Sequence, residues 1–243
     1  MTRLGFPYSQ ILPPWDIVGE VIASIEADSW LLVGGLMVQA HAMIAGFESR
    51  ATVDVDMLID VLSDTQNIER VINGLETLGF QMQEPAFRKS PTYCLKREDQ
   101  IVDVLVAEHL PSGKRKVAKF GQVPLMEALG GAQAIDRKML VSLEGSESLL
   151  SFWMPDLLGA LVLKSAAYSA DNRDRCRHLD DVALLASLIT EVAFERDRLR
   201  GSDKKRLRST WAVLEDQNHS AWLNLPNANR VRGHDVLRIL TSL

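Results

Sequence analysis

The chain has 243 residues, 47% of them hydrophobic and 24% charged, enough apolar material for a sizeable core in one large domain or a domain with an appendage. Lys and Arg number 27 against 32 Asp and Glu, a net charge of -5, which excludes a bulk polycation for nucleic acid; RNA or DNA contact needs a local basic patch. Two cysteines make no disulfide scaffold or zinc site, no apolar stretch approaches the roughly 18 residues of a membrane helix, and the N-terminus lacks a signal peptide's apolar region; the expectation is a soluble cytoplasmic protein without membrane association.

In chain order, residues 1–15, with Pro7, Pro13 and Pro14, read as an irregular lead-in. The spacing of Ile17, Val18, Val21, Ile22 and Ile25 predicts a helix from Asp16 to about Ala27. Trp30–Val33 reads as a short apolar strand stopped by Gly34 and Gly35, and Leu36–Ala45 as a helix ended by Gly46. The β-branched alternation of Thr52–Ile59 predicts a second strand. Asp64–Leu78 is amphipathic, with Asp64 the expected N-cap and Gly79 the stop. Strands at Thr92–Lys96 and Gln100–Val106 flank the turn Arg97-Glu98-Asp99, and residues 114–143 mix basic and apolar positions as further strands or a strand with a short helix. A long apolar helix, Asp156–Ala170, carries Lys164; a polar linker, Asp171–Arg177, then leads to a helix at Leu179–Ile189 and a charged helical tail. The expected fold class is α/β (α+β), a mixed sheet with flanking helices over residues 1–145, followed by a helical domain over 146–243.

Three features of the first half carry chemistry. Gly34-Gly35 joins a strand to a helix, where backbone can approach a phosphate and amide N–H groups can meet its charge; a plain tight turn is the alternative. Asp54 and Asp56 lie two apart on a strand and share a face, opposite Val53, Val55 and Met57. Adjacent carboxylates repel unless a cation sits between them, which suits Mg²⁺; a solvated strand face is the alternative. Asp103 stands alone in the apolar strand Ile101–Val106, costly if buried unpaired, reasonable if it joins Asp54 and Asp56 in a cage for two metal ions, or if it bonds a nearby loop.

This order of elements resembles the nucleotidyltransferase fold of the DNA polymerase β superfamily. The stretch from Leu32-Val33-Gly34-Gly35-Leu36-Met37-Val38 to Arg50-Ala51-Thr52-Val53-Asp54-Val55-Asp56-Met57-Leu58 is most similar to the AbiEii-type nucleotidyltransferase toxins. Lys164 with Arg173 or Arg175 resembles that family's lysine motif, whose basic groups contact nucleotide phosphates, and His178-Leu179-Asp180-Asp181-Val182 resembles its following acidic motif. The resemblance implies that residues 1–145 form the catalytic domain and 146–243 a helical domain closing over the nucleotide. It makes Asp54, Asp56 and Asp103 catalytic and metal-holding, and assigns nucleotide binding to Gly34, Gly35, Thr52, Lys164, Arg173 and Asp181. Leu36 replaces the serine common in the family's glycine motif, so the loop would bind phosphate through backbone amides alone.

The implied activity is transfer of a nucleoside monophosphate from an NTP to an acceptor hydroxyl, with Mg²⁺ or Mn²⁺ as cofactor. The implied acceptor is RNA, such as a tRNA 3′ end, the protein being the toxin of a toxin–antitoxin pair with a cognate antitoxin as partner. An antibiotic nucleotidyltransferase, or a catalytically weak regulatory module of the same fold, is the alternative. The basic run from Arg196 to Arg208 and the patch Lys114, Arg115, Lys116 and Lys119 read as solvated faces, with a phosphate platform the alternative. Trp153, Trp211 and Trp222 read as packing anchors.

Overall fold

The computed structural model describes residues 2–5, 13–83, 94–144, 149–171 and 174–242. The first stretch of the fold runs β1 (Thr2–Gly5), α1 (Trp15–Ser24), β2 (Trp30–Val33), α2 (Gly34–Ile44), β3 (Asp54–Ile59), α3 (Asn67–Thr77) and β4 (Gln81–Met82). Then come β5 (Cys94–Arg97), β6 (Gln100–Ala107), α4 (Ser112–Val117), β7 (Lys119–Phe120), β8 (Val123–Pro124), β9 (Met126–Ala128), α5 (Gly131–Asp136), β10 (Lys138–Glu144) and β11 (Leu149–Pro155). Helices complete the chain: α6 (Leu157–Ala170), α7 (Cys176–Leu188), α8 (Val192–Asp197), α9 (Asp203–Leu214), α10 (Ser220–Leu223) and α11 (Asn227–Thr241).

The fold is mixed α/β. The main sheet has the order β1-β10-β11-β2-β3-β6-β5-β4, with β9 attached to β6, and β7 and β8 form a separate ribbon. Its centre is β3 beside β6, paired in parallel so that Asp54 stands opposite Ile101 and Asp56 opposite Asp103. Strand alternation sends Val55 and Met57 of β3, and Val102, Val104 and Val106 of β6, into the core and leaves the aspartates on the other face. Val53 lies outside the strand and is 76% exposed, so the apolar face expected to include it begins at Val55.

Three other expectations need correction. The lead-in contains a strand, β1, which pairs in parallel with β10 from Thr2 opposite Val141 to Gly5 opposite Glu144. Main-chain pairing needs no side-chain periodicity, so four residues before a proline carried no signal. α3 starts at Asn67, not Asp64: the Asp64 carboxylate accepts the Gln66 N–H at 3.0 Å and pairs with Arg70 at 2.8 Å, forming a turn ahead of the helix. The sheet also continues past residue 145, because β11 pairs along β10 and places Trp153 beside Leu31 of β2.

α6 begins under an Asp156 cap, whose carboxylate accepts the Gly159 N–H at 2.9 Å. Its run Leu158–Ala166 is buried throughout, and α6, α7, α9 and α11 pack on one another while α2 packs on both β3 and α7. One hydrophobic core joins sheet and helices. That shared core places the α6–α7 corner over the aspartate face of the sheet.

Candidate functional site: three carboxylates in a cleft

One carboxylate oxygen from each of Asp54, Asp56 and Asp103 falls within 4.8 Å of the others. The start of α2 is what lets them gather. Gly34 has φ +66°, and a Cβ there would lie 1.6 Å from Asp56 Oδ2. The Gly35 N–H donates to Asp56, and a Cβ on Gly35 would lie 2.6 Å from Thr52 Oγ1. Thr52 Oγ1 in turn donates to Asp54 Oδ1 at 2.5 Å. Gly34 thus leaves room for the Asp56 carboxylate, while Gly35 and Thr52 bond Asp56 and Asp54.

Burial, then the charge of Asp54, pushes the Asp56 carboxyl up to about 6. Burial, then Asp56 and Asp54, pushes Asp103 up to about 7. Asp103 Oδ1 is buried without a hydrogen-bond partner, while the Cys94 thiol, opposite Asp103 in register, bonds to its carboxylate. Three converging oxygen donors, one orphaned, suit a hard divalent cation. The charges of Lys164 and Arg177 pull the Asp56 carboxyl down, but less than burial and Asp54 push it up.

The stability consequence has a definite sign. Below the unfolded carboxyl value of ~3.9 both groups are neutral and repulsion is absent. The cost grows as pH rises through 4 towards 7 and then stays constant. Asp103→Asn is therefore expected to leave metal-free thermal stability unchanged at pH 4 and to raise Tm by several degrees at pH 8, at ~2–4 °C per kcal/mol for a chain of this size. Saturating Mg²⁺ at pH 8 should stabilise wild type and not the variant. Thermal unfolding with chelator and with Mg²⁺ checks both, and an Asp103→Asn protein less stable than wild type at pH 8 would make Asp103 structural.

The trio opens into a cleft of about 650 Å³ between the sheet and the α6–α7 corner. Lys164 lines it, and its Nζ lies 2.8 Å from Asp181 Oδ2. Arg50, on the approach to β3, grips the same carboxylate with Nε at 2.9 Å and its terminal nitrogen at 3.0 Å. Burial opposes ionisation of Asp181, yet Lys164 and Arg50 hold its carboxyl below the usual range. Asp181 is thus an anchor behind the cleft wall that sets two cations at the cleft. Asp180, its neighbour, is raised by burial and by Asp181.

Arg177 and His178 line the same wall. His178 Nε2 lies 3.2 Å from Asp171 Oδ2, and its Nδ1 is buried without a partner. Burial and the Lys164 charge lower its pKa, favouring the neutral ring. Arg173 lies outside the described residues.

Arg50 and His178 stand in motifs along the chain without a local signal that assigns them to the site, and Arg177 stands in none; the partner of Arg50 lies 131 residues away. Elsewhere, three arginines of the basic run are held in ion pairs: Arg198 with Asp156 and Glu195, Arg200 with Asp136, and Arg206 with Glu108. Lys114 donates to the Val61 and Leu62 carbonyls, and Arg115 pairs with Glu127 at 3.2 Å. Trp222 is buried, donating to the Leu214 carbonyl, and Cys94 and Cys176 are free thiols.

No family model, curated protein or solved structure matches the chain. Among the described residues, no helix is long and apolar enough to cross a membrane.

Proposed function

We propose that the protein is a metal-dependent nucleotidyltransferase, moving a nucleoside monophosphate from an NTP to an acceptor hydroxyl. The observation that carries this reading is the convergence of Asp54, Asp56 and Asp103 within 4.8 Å at the mouth of a cleft whose other wall presents Lys164. Asp54, Asp56 and Asp103 would hold Mg²⁺ or Mn²⁺, which supplies charge neutralisation of the phosphates and a lower pKa for the attacking hydroxyl. Lys164, with Arg50 and Arg177 beside it, meets the remaining phosphate charge, and Asp181 keeps Lys164 and Arg50 in place. The acceptor oxygen forms a bond to the α-phosphorus, the bond from that phosphorus to the β-phosphate's bridging oxygen breaks, and pyrophosphate leaves. Asp103, whose Oδ1 has no hydrogen-bond partner, is placed to take the acceptor's proton at that oxygen.

The motif resemblance directs the acceptor to an RNA 3′ end and the physiological role to a toxin with a cognate antitoxin. Incubation with each α-labelled NTP, Mg²⁺ and total RNA is expected to label RNA and release pyrophosphate, and expression in a bacterium to slow growth in a way that Asp56→Ala relieves. Label entering a small hydroxylated drug instead would move the acceptor to the antibiotic class. No transfer to either, with any NTP, would refute the enzyme reading.

A further inference from the structure

Beside its charged part, to which Asp171 and Asp174 also belong, the cleft has an apolar part. On β6, Leu105 follows Asp103 by two positions and shares its face, roughly 7 Å further along the strand. Leu105 stands opposite Met126 of β9, and Ala128 lies two positions beyond Met126. Across the cleft, Leu163 and Ala167 stand four apart on α6, a spacing that puts them on one helix face. Leu129, 42% exposed, closes the rim. Gly130 turns the chain at this corner with φ +89°, in ordinary contact range of Leu163. The charged side chain β9 offers to the cleft, Glu127, is already paired with Arg115.

Such a cleft fits a ligand with a polyanion at one end and a flat apolar body at the other, one sugar's length apart. We infer that the half formed by Leu105, Met126, Ala128, Leu129, Leu163 and Ala167 is the nucleobase subsite, recognising the base by apolar contact rather than hydrogen bonds. The inference rests on the nucleotidyl-transfer reading and adds to it the seat and manner of base recognition. Among the described residues, the lining side chains of this half other than the ion-paired Glu127 are apolar, so discrimination among bases follows contact area. Purines bind more tightly than pyrimidines, with all four NTPs within about tenfold. The cleft's 650 Å³ lies within the range of sites for molecules of nucleotide size.

Calorimetric titration of the full chain in Mg²⁺ with ATP, GTP, CTP, UTP and inorganic tripolyphosphate tests this. Wild type is expected to bind each NTP at least about tenfold more tightly than tripolyphosphate. The double variant Met126→Ser/Leu129→Ser is expected to lose most of that advantage while keeping tripolyphosphate affinity, which also certifies its fold. Tripolyphosphate binding wild type as tightly as the NTPs, or a double variant that binds NTPs like wild type, would overturn the subsite and leave the transfer reading standing. Failure of both NTPs and tripolyphosphate to bind would bring down the transfer reading and the subsite with it.

Discussion

Gly34→Ala is expected to silence nucleotidyl transfer as completely as Asp56→Asn, by a factor on the order of a thousand. Two independent effects combine. The backbone at Gly34 sits at φ +66°, where an L side chain costs roughly 1–2 kcal/mol. The new methyl would also occupy the space of the Asp56 carboxylate, whose Oδ2 lies 1.6 Å from the Cβ position. Asp56 must therefore swing away, and the Gly35 N–H bond that holds it goes with it. Loss of activity alone would not separate a displaced carboxylate from a damaged fold, so the decisive companion is metal binding. Gly34→Ala should lose the Mg²⁺-dependent gain in Tm while unfolding in a single cooperative transition in chelator. Gly46→Ala, where a Cβ meets nothing within 4 Å despite φ +74°, is the matched control and should keep both activity and the metal response. A Gly34→Ala protein with wild-type transfer would show that Asp56 is not needed in its observed position.

The second large effect concerns stability. Asp181 is 2% exposed and neutralises Lys164, itself 4% exposed, while also bonding Arg50. Asp181→Ala strands the buried ammonium, and removing one partner of a buried pair costs about 3–5 kcal/mol. At ~2–4 °C per kcal/mol this amounts to a fall in Tm of about 10 °C. Arg50, about a third exposed in its side chain, can turn towards water and contributes less to the loss. Lys164→Met/Asp181→Leu removes both charges and should recover much of the stability, because no unpaired charge remains inside. It should recover no transfer, because the cation facing the cleft is gone. Thermal unfolding of the two proteins beside wild type checks the pattern; a single variant as stable as wild type would mean that Lys164 finds another partner or water.

Much of this site was readable along the chain because its signals are local. The two-residue period of Asp54 and Asp56, the apolar strand around Asp103, and the Gly34-Gly35 break after Trp30–Val33 all follow from sterics within a few residues. The helical run around Lys164 is equally local, since its apolar length and the Asp156 cap need no distant partner. Composition likewise bounded the size of the core.

What the chain order left open is each fact that depends on two distant segments meeting. Periodicity says which face Asp103 occupies but not that β6 lies beside β3 with Asp103 opposite Asp56; that register comes from burying Val55, Met57, Val102 and Val104 together. The pairing of Arg50 with Asp181 depends on α7 packing over α2, and β1 exists because β10 offers it an open edge. The raised carboxyls of Asp56 and Asp103 are likewise products of packing, since an aspartate's charge is an ordinary one until the fold removes its water and brings its neighbours close. By itself the sequence determined most of the central strands and long helices and the face of each aspartate, because backbone sterics act over a few bonds. Only the tertiary structure decided which charges face one another and which face the cleft, because burial and Coulomb energies are set by distance in space.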